Sequence, residues 1–324
     1  MMRRIGSTLV VLAALAGGVT EGMAQTWPAR PVRLVVGFAP GGAADYVARN
    51  LAEPLGRALG QSMVVENRAG AGSSIAADHV AKAAPDGYTL LIASPSSISV
   101  NPAVNPKLGY SARDLLPVTR VSTSPLVVAV NPALKVATLA ELIALARRQP
   151  GKLNYATSGN GSAPHLAAVL FARLAGVDMV HVPYKGGGPA VQSVVAGDTQ
   201  LTFGTPPSVL PMIEAKRLIA LASTSRSRSP LVPGVPGMSE AGLPDYEISF
   251  WYGLFFPAAT PLPIARRLHE ATARVLESAE LRQALAREGT ETVGSRSPED
   301  FAAFIAEDAK FWVRLVRDAK LQPE

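Results

Sequence analysis

The sequence lacks cysteine entirely and has only four histidines among its 324 residues. Without cysteine the chain has no disulfide framework, no thiolate metal site and no cysteine nucleophile. No two of the histidines have the His-x-x-x-His spacing of a zinc-binding helix, so the sequence does not indicate a zinc enzyme of that kind. We therefore expect neither a bound metal nor a cofactor.

Charged residues are also scarce, at 17% of the chain, and 31 basic against 25 acidic side chains give a formal charge of +6. The basic residues are scattered, with no run of five or more, so the sequence does not indicate a nucleic-acid partner. Hydrophobic residues make up 48% of the chain. At about 150 residues per domain, the length predicts two domains that each bury a core.

No apolar run approaches the roughly 20 residues that span a bilayer. The one notable run, residues 9–16, follows Arg3 and Arg4 and precedes small residues that end at Ala24. This pattern is typical of a secretory signal peptide over residues 1–24, with a buried N-terminal helix as the alternative. We expect cleavage after about Ala24 and a periplasmic mature protein that does not span the membrane.

Short β-branched runs alternate with helical patterns along the rest of the chain, which predicts an α/β fold. The alternation restarts at Leu126, and the chain returns through 250–253 after a loop rich in proline, glycine and serine. We therefore predict two lobes with two hinge crossings. One lobe comprises residues 25–122 and 250–324, and the other comprises 123–249.

The sequence templates of common enzymes are missing: it contains no Gly-x-Ser-x-Gly elbow, no Walker loop and no His-Glu-x-x-His. One enzymatic alternative stays open, an exported α/β hydrolase that uses Ser162 and His165. Three residues along a predicted helix can place the imidazole beside the hydroxyl, but no orienting acid is evident. We expect His165 to be a cap or a packing residue, and the protein not to be an enzyme.

Two strand-to-helix turns rich in glycine and serine predict an anion site. The first turn of a helix has backbone N–H groups without helical partners, and the helix dipole adds about half a positive charge there. Serine hydroxyls after other strands are expected on the same rim. The candidate ligand-binding residues are Pro40, Gly41, Gly42, Ala43 and Asp45 of the first turn, Ser158, Gly159, Asn160, Gly161, Ser162 and His165 of the second, and Ser94, Ser96, Ser97 and Ser124.

Each turn taken alone is also the pattern of ordinary helix capping. Asp45 in particular has two interpretations. In the first turn of its helix the carboxylate would stabilise the dipole. Pointing inward, it could orient a bridging water against the neutral end of a ligand, but it would repel a second carboxylate.

The chain resembles the Bug-type solute receptors of tripartite tricarboxylate transporters over essentially the whole mature sequence. The motifs that carry the resemblance are Trp27-Pro-x-Arg-Pro31, Val36-Gly-Phe-Ala-Pro-Gly-Gly42 with Asp45, Gly60-Gln61, Val65-Glu-Asn-Arg-Ala-Gly-Ala-Gly72, Pro85-Asp-Gly-Tyr-Thr-Leu90, Val182-Pro-Tyr-Lys-Gly186 with Pro189-Ala190, Trp251-Tyr-Gly253, Pro257-Ala258 and Thr260-Pro261. The resemblance implies a two-lobed periplasmic-binding-protein fold of the flytrap, type II-like kind. It also implies a small carboxylate ligand and no catalysis.

Two positions depart from the family pattern. Gly204 follows the strand 201–203 where the family typically has Asp, which argues against an amino-acid ligand. Lys216 stands where the family usually has Gly, in an expected surface turn.

Together these observations predict a monomeric extracytoplasmic receptor. It would bind a small carboxylate between its lobes and deliver it to the membrane permease subunits of the transporter. A ligand sensor presented to a signalling receptor would have the same pocket, and it stays open as an alternative.

Overall fold

The computed structural model describes residues 27–105, 107–319 and 321. The predicted signal peptide, residues 1–24, lies outside the described residues. Among the helices of the described chain, none combines the length and the apolar character that crossing a bilayer requires.

The first sheet contains six strands, and its chain segments come from both ends of the sequence. They are β1 (Val32–Val36), β2 (Met63–Asn67), β3 (Thr89–Ala93), β4 (Leu115–Pro125), β10 (Ser249–Pro257) and β11 (Glu291–Thr292). Their spatial order is β11-β4-β10-β3-β1-β2. The β1 strand is parallel to β2 and β3, whereas β10 is antiparallel to both β3 and β4.

Helices cover both faces of this sheet, and all five residues of its strand β3 are therefore buried. The helices are α1 (Ala43–Leu59), α2 (Ser74–Ala81), α3 (Asn101–Val104, directly after the π-helical turn Ser96–Val100), α8 (Leu262–Glu277), α9 (Ala279–Arg287) and α10 (Pro298–Asp318). The α1 helix buries Val47, Leu51 and Leu55 at helical spacing. It continues past Pro54 and ends where Gly60 adopts a left-handed conformation, with φ of 76°.

The second sheet contains five strands from the middle of the chain. They are β5 (Val127–Val130), β6 (Asn154–Thr157), β7 (Val180–Pro183), β8 (Leu201–Gly204) and β9 (Ile219–Ser223), in the order β7-β6-β8-β5-β9. Its helices are α4 (Leu139–Arg148), α5 (Ala163–Ala175), α6 (Gly187–Ala196) and α7 (Pro206–Glu214). Thr138 caps α4, because its hydroxyl accepts a hydrogen bond from the Glu141 amide at 3.2 Å. Strands and helices alternate in both units, so the α/β prediction is confirmed.

The chain passes between the sheets twice, and Thr224 joins the two passages. The Leu126 amide, between β4 and β5, donates to Thr224 Oγ1 at 2.7 Å, and this hydroxyl donates to the Ile248 carbonyl at 2.7 Å. Backbone bonds reinforce the connection, since the Thr224 amide donates to Leu126 at 2.8 Å and the Ile248 amide donates to Thr224 at 3.1 Å. Thr224 is fully buried. One side chain therefore holds both passages together.

We expect Thr224→Val to lower the free energy of unfolding by about 1–3 kcal/mol, because it leaves a buried amide and a buried carbonyl without that partner. Urea denaturation measures the change. The matched control is Thr272→Val: this hydroxyl is also fully buried, but it donates to Leu268 within one helix, at 2.8 Å. The Leu268 carbonyl keeps its helical partner, so we expect a loss below about 1 kcal/mol. Equal losses in the two variants would contradict the role of Thr224.

Candidate functional site

The N-termini of α1, α5 and α6 meet at a cavity between the two sheets, and α7 begins there too, after Thr205, with two prolines that have no N–H group. The first residue before each helix is Gly42 for α1, Ser162 for α5 and Gly186 for α6, and none of these three caps its helix through a side-chain hydrogen bond. The cavity is lined by Phe38, Gly42, Ala43, Ala44, Ser158, Ala163, Pro164, Gly187, Ala190, Val191, Thr202, Gly204, Thr205, Phe250 and Tyr252. None of these lining residues has a charged side chain. The positive potential of the site therefore comes from backbone dipoles.

The turn before α1 is held in place by Asp45. Its carboxylate accepts the Gly41 amide at 3.2 Å, Arg49 Nε at 3.0 Å and Asn67 Nδ2 at 3.0 Å. Burial raises the pKa of Asp45, but these hydrogen bonds outweigh burial and bring the pKa below its usual value. Asp45 is buried and does not line the cavity. This geometry corresponds to the first of its two interpretations, in which the carboxylate stabilises the helix start.

The turn before α5 is held by His165. The Gly161 amide donates to His165 Nδ1 at 3.1 Å, which fixes the turn against the helix that follows it. Gly159 and Gly161 have φ of 122° and 66°, values that favour glycine. Ser162 is fully buried, and its hydroxyl has no hydrogen-bond partner among the described residues. The hydroxyl–imidazole bond that a hydrolase needs is therefore not formed between Ser162 and His165.

His165 stacks on a second histidine. The centroid of its ring lies 3.9 Å from that of the His181 ring, at an interplanar angle of 6°. The Tyr155 ring contacts both imidazoles, with centroid distances of 5.1 Å to His181 and 6.4 Å to His165. Burial lowers the pKa of His165 to about 3, with the neighbouring His181 as a further cause. Burial also lowers the pKa of His181 to about 4, and its Nε2 lies 2.6 Å from Thr157 Oγ1. Both rings are consequently neutral at physiological pH.

Most of the other candidate residues do not line this cavity. Of the predicted set, Gly42, Ala43 and Ser158 line it, and Pro40 and Gly41 are exposed just before α1. Ser94, Ser96 and Ser97 follow β3, are fully buried, and have hydroxyls with no hydrogen-bond partner among the described residues. Ser124 lies in β4 opposite Phe250. Asn160 and Gly161 line a second cavity, together with His165 and Asn101.

The contribution of α6 to the cavity was not among the predictions from the sequence. Gly187, Ala190 and Val191 line the cavity, and the glycine run 186–188 before them is the same kind of turn as the two that were predicted. Thr205 was also detectable, because it follows the end of β8. No sequence pattern around Phe250 and Tyr252 indicates a ligand site. These residues reach the cavity because β10 inserts between β3 and β4.

The two halves of the molecule touch through these turns. The Ala39 amide, before α1, donates to the Lys185 carbonyl, before α6, at 2.9 Å. A Cβ atom added to Gly42 would lie 3.3 Å from the Gly187 amide nitrogen, and one added to Gly186 would lie 2.9 Å from the Ala39 nitrogen. Glycine at these positions therefore permits the backbones to approach each other.

Comparison with known proteins identifies relatives along almost the whole chain. Residues 47–321 match the family described as tripartite tricarboxylate transporter family receptor. Protein BugT of Bordetella pertussis is 38% identical over 325 residues, 99% of this chain and 99% of BugT. A UPF0065 protein in the tcbD–tcbE intergenic region of Pseudomonas sp. strain P51 is 37% identical over 318 residues, 96% of this chain and 94% of the relative.

Solved structures of similar proteins have the same fold. Rpa4515 of R. palustris with adipate is 35% identical, with a TM-score of 0.88 over 92% of this chain and 100% of that one. MatC (Rpa3494) from Rhodopseudomonas palustris with bound malate is 33% identical, with a TM-score of 0.83 over 90% of this chain and 100% of MatC. The periplasmic binding protein BugD is 29% identical, with a TM-score of 0.87 over 92% of this chain and 100% of BugD. The predicted family and periplasmic-binding-protein fold are confirmed.

The two neutral histidines predict how stability depends on pH. In the unfolded chain a histidine has a pKa of about 6.5. Between that value and the lowered pKa values of the folded state, the unfolded chain binds more protons, so the free energy of unfolding falls as pH falls from about 6.5 towards 4. Above about pH 7 this contribution is constant.

We expect each histidine to account for about 2 kcal/mol of the stability lost between pH 7 and pH 5, or about 4 kcal/mol for the pair. Urea denaturation of the wild type and of the double variant His165→Gln/His181→Gln, at both pH values, measures this contribution. All other titrating groups are common to the two proteins, so the difference between them is due to the histidines. The double variant should lose less stability on acidification. An unchanged difference between pH 7 and pH 5 would show that the histidines are not neutral and buried.

Proposed function

This chain belongs to the tripartite tricarboxylate transporter receptor family, and we propose that it captures a small carboxylate in the cavity between its two sheets. The observation that carries this proposal is the convergence of three helix N-termini on a cavity without a charged lining side chain. Each N-terminus contributes about half a positive charge and unpaired amide donors. A carboxylate is an acceptor-only group with one negative charge, which matches such a site.

The relatives support the carboxylate class. Rpa4515 was solved with adipate and MatC with malate, and both share about a third of their residues with this chain. The turns before α1 and α5 were predicted to bind the ligand, and they contribute Gly42, Ala43 and Ser158 to the cavity wall. We propose that the neighbouring candidates of both turns, and the hydroxyls of the buried serines, complete the contacts directly or through water.

The connections between the sheets support closure around the ligand. We propose that residues 25–122 with 250–324, and residues 123–249, move as two lobes about the passages that Thr224 joins. The Ala39–Lys185 hydrogen bond would then form on closing and break on opening. A cavity enclosed in this way excludes water and strengthens the interaction of the carboxylate with the helix dipoles.

The physiological role follows from the family. We propose that the chain is exported with cleavage after about Ala24, acts in the periplasm as a monomer, and delivers its ligand to the membrane subunits of the transporter. We further propose that it performs no catalysis. The occupied Nδ1 atom of His165 and the unbonded Ser162 hydroxyl support this, because a serine nucleophile needs a base within hydrogen-bond reach.

We expect Gly42→Val to weaken carboxylate binding at least about tenfold, or about 1.4 kcal/mol. The added side chain would occupy the space next to the Gly187 amide and prevent the close approach of the two turns. Gly42 has φ of −98°, so the backbone itself accepts valine and the melting temperature of the free protein should fall only modestly. Calorimetric titration with a panel of organic acids measures binding.

The matched control is Gly294→Val, where an added Cβ would meet only Leu276 at 3.5 Å, an ordinary contact. This variant should bind like the wild type. If Gly42→Val also binds like the wild type, and Ser162→Ala has no effect, the carboxylate is not held at these turns.

A deletion strain distinguishes the transport role from the two alternatives. We expect loss of the protein to abolish uptake of the bound acid, and the wild-type gene to restore it. Reproducible hydrolysis of an ester panel that depends on Ser162 would support the hydrolase instead. Normal uptake with a lost transcriptional response to the acid would support the sensor.

A further inference from the structure

The turn between β2 and α2, residues 70–73, has a backbone conformation that side chains disfavour. All four of its residues have positive φ: 141° at Gly70, 46° at Ala71, 55° at Gly72 and 78° at Ser73. Ala71 and Ser73 are not glycines, so their Cβ atoms are crowded in this conformation. Such a turn persists only where its surroundings hold it in place. It overlaps one of the motifs that carry the family resemblance, yet none of its residues lines the cavity proposed to bind the carboxylate.

Asn101, the first residue of α3, holds the 70–73 turn. Its side-chain Nδ2 donates to the carbonyls of Ala71 at 3.2 Å and Gly72 at 3.0 Å, and to Ser74 Oγ at 2.7 Å. The two protons of this amide are shared among the three acceptors. Asn101 is 6% exposed, so water does not replace these bonds easily. A substitution that removes Nδ2 would therefore release the turn from α3.

The 70–73 turn and Asn101 meet the other half of the molecule at the turn before α5, residues 158–162. A Cβ atom added to Gly72 would overlap the Asn160 carbonyl oxygen, and one added to Gly161 would overlap Asn101 Oδ1. The two segments therefore approach each other as closely as glycine permits. This contact is separate from the hydrogen bond between Ala39 and Lys185.

The turn before α5 belongs to the proposed carboxylate site. It contributes Ser158 to the cavity wall, and α5 begins directly after it. The surface against which this turn rests determines where the N-terminus of α5 lies relative to that of α1. A backbone donor must be placed to within a fraction of an ångström to form a good hydrogen bond with a ligand. The 70–73 turn can therefore influence binding without touching the ligand.

We infer that Asn101 is a positioning residue for ligand capture: it holds the 70–73 turn in the conformation that receives the turn before α5 when the lobes close. The inference rests on the proposed function and its lobe movement, and it adds a residue outside the ligand cavity. Asn101 is not among the residues that line that cavity. Its loss destabilises the closed form and leaves the encounter of the ligand with the open form unchanged.

Asn101→Ala tests this role, and Asn131→Ala is the matched control. Asn131 follows β5 and also donates through Nδ2 to backbone carbonyls of another element, Val194 at 2.7 Å and Val195 at 3.4 Å, but within one half of the molecule. We expect both variants to lower the melting temperature of the free protein. Only Asn101→Ala should weaken ligand binding, by at least about fivefold, through faster dissociation at an unchanged association rate.

The probe is the acid that binds most tightly to the mature wild-type protein among malate, adipate, succinate and benzoate. Titration calorimetry gives its affinity for each variant. Stopped-flow fluorescence gives the association and dissociation rates. A purely structural role of Asn101 would change the melting temperature but not the ratio of these two rates.

A pair of glycine variants tests the contact itself. Gly72 and Gly176 have similar left-handed backbones, with φ and ψ of 55° and 37° at Gly72 and of 62° and 49° at Gly176. The backbone cost of alanine is therefore matched. An added Cβ at Gly176 would meet no atom within 4 Å, whereas at Gly72 it would meet Asn160 across the contact. We expect Gly72→Ala to weaken binding at least about tenfold and Gly176→Ala less than about twofold.

The outcomes separate this inference from the function on which it rests. If the wild type binds an acid but Asn101→Ala binds it as tightly as Asn131→Ala, or Gly72→Ala as tightly as Gly176→Ala, the inference is wrong and the carboxylate receptor stands. Weaker binding of Asn101→Ala that is due to slower association would also contradict the inference, because the open form would then be affected. If no acid binds to the wild type, the proposed function is wrong and the inference fails with it.

Discussion

In the proposed function, the protein holds an anion at a cavity whose lining has no cationic side chain, and several features of the structure agree with that constraint. Backbone dipoles act only within about the first turn of a helix, so the N-termini of α1, α5 and α6 must all reach the same small volume. The turns before α1 and α6 therefore approach so closely that side chains are excluded, and Gly42, Gly186 and Gly187 occupy the contact. The chemistry of the site thus determines where the sequence needs glycine.

Away from the two passages, the halves also make polar contacts with each other. They include one backbone hydrogen bond, from Ala39 to Lys185, and an exposed ion pair of 3.2 Å between Arg173 and Asp318. Such contacts contribute about 1 kcal/mol or less each. Where the two passages meet, Leu126, Thr224 and Ile248 are buried, and Thr224 forms hydrogen bonds with the other two. If the two lobes move as proposed, a ligand that bridges the halves shifts the equilibrium between open and closed forms towards the closed one.

The sequence predicted those parts of the site that depend on local pattern. The turns before α1 and α5 were identifiable because glycine and serine follow β-branched runs, and the α/β alternation gave the fold class. The α6 turn has the same signal and was overlooked. Phe250 and Tyr252 could not be found in this way, because an antiparallel strand brings them from 200 residues beyond β1 and only the tertiary fold aligns them. The stacking of His165 on His181 is equally non-local: it depends on the pairing of β6 with β7.

That stacked pair explains why the site has no titrating group near neutral pH. A protonated His165 could not accept the Gly161 amide, and burial disfavours its charge, so the ring stays neutral and the turn keeps its shape. Asp45 acts at the other turn as an ionised carboxylate, because its hydrogen bonds lower its pKa. Both side chains shape backbone donors and neither lines the cavity. Because the donors belong to the backbone, substitutions in the wall, at positions such as Phe38, Val191 or Thr202, can change which acid fits and leave the means of holding its carboxylate intact.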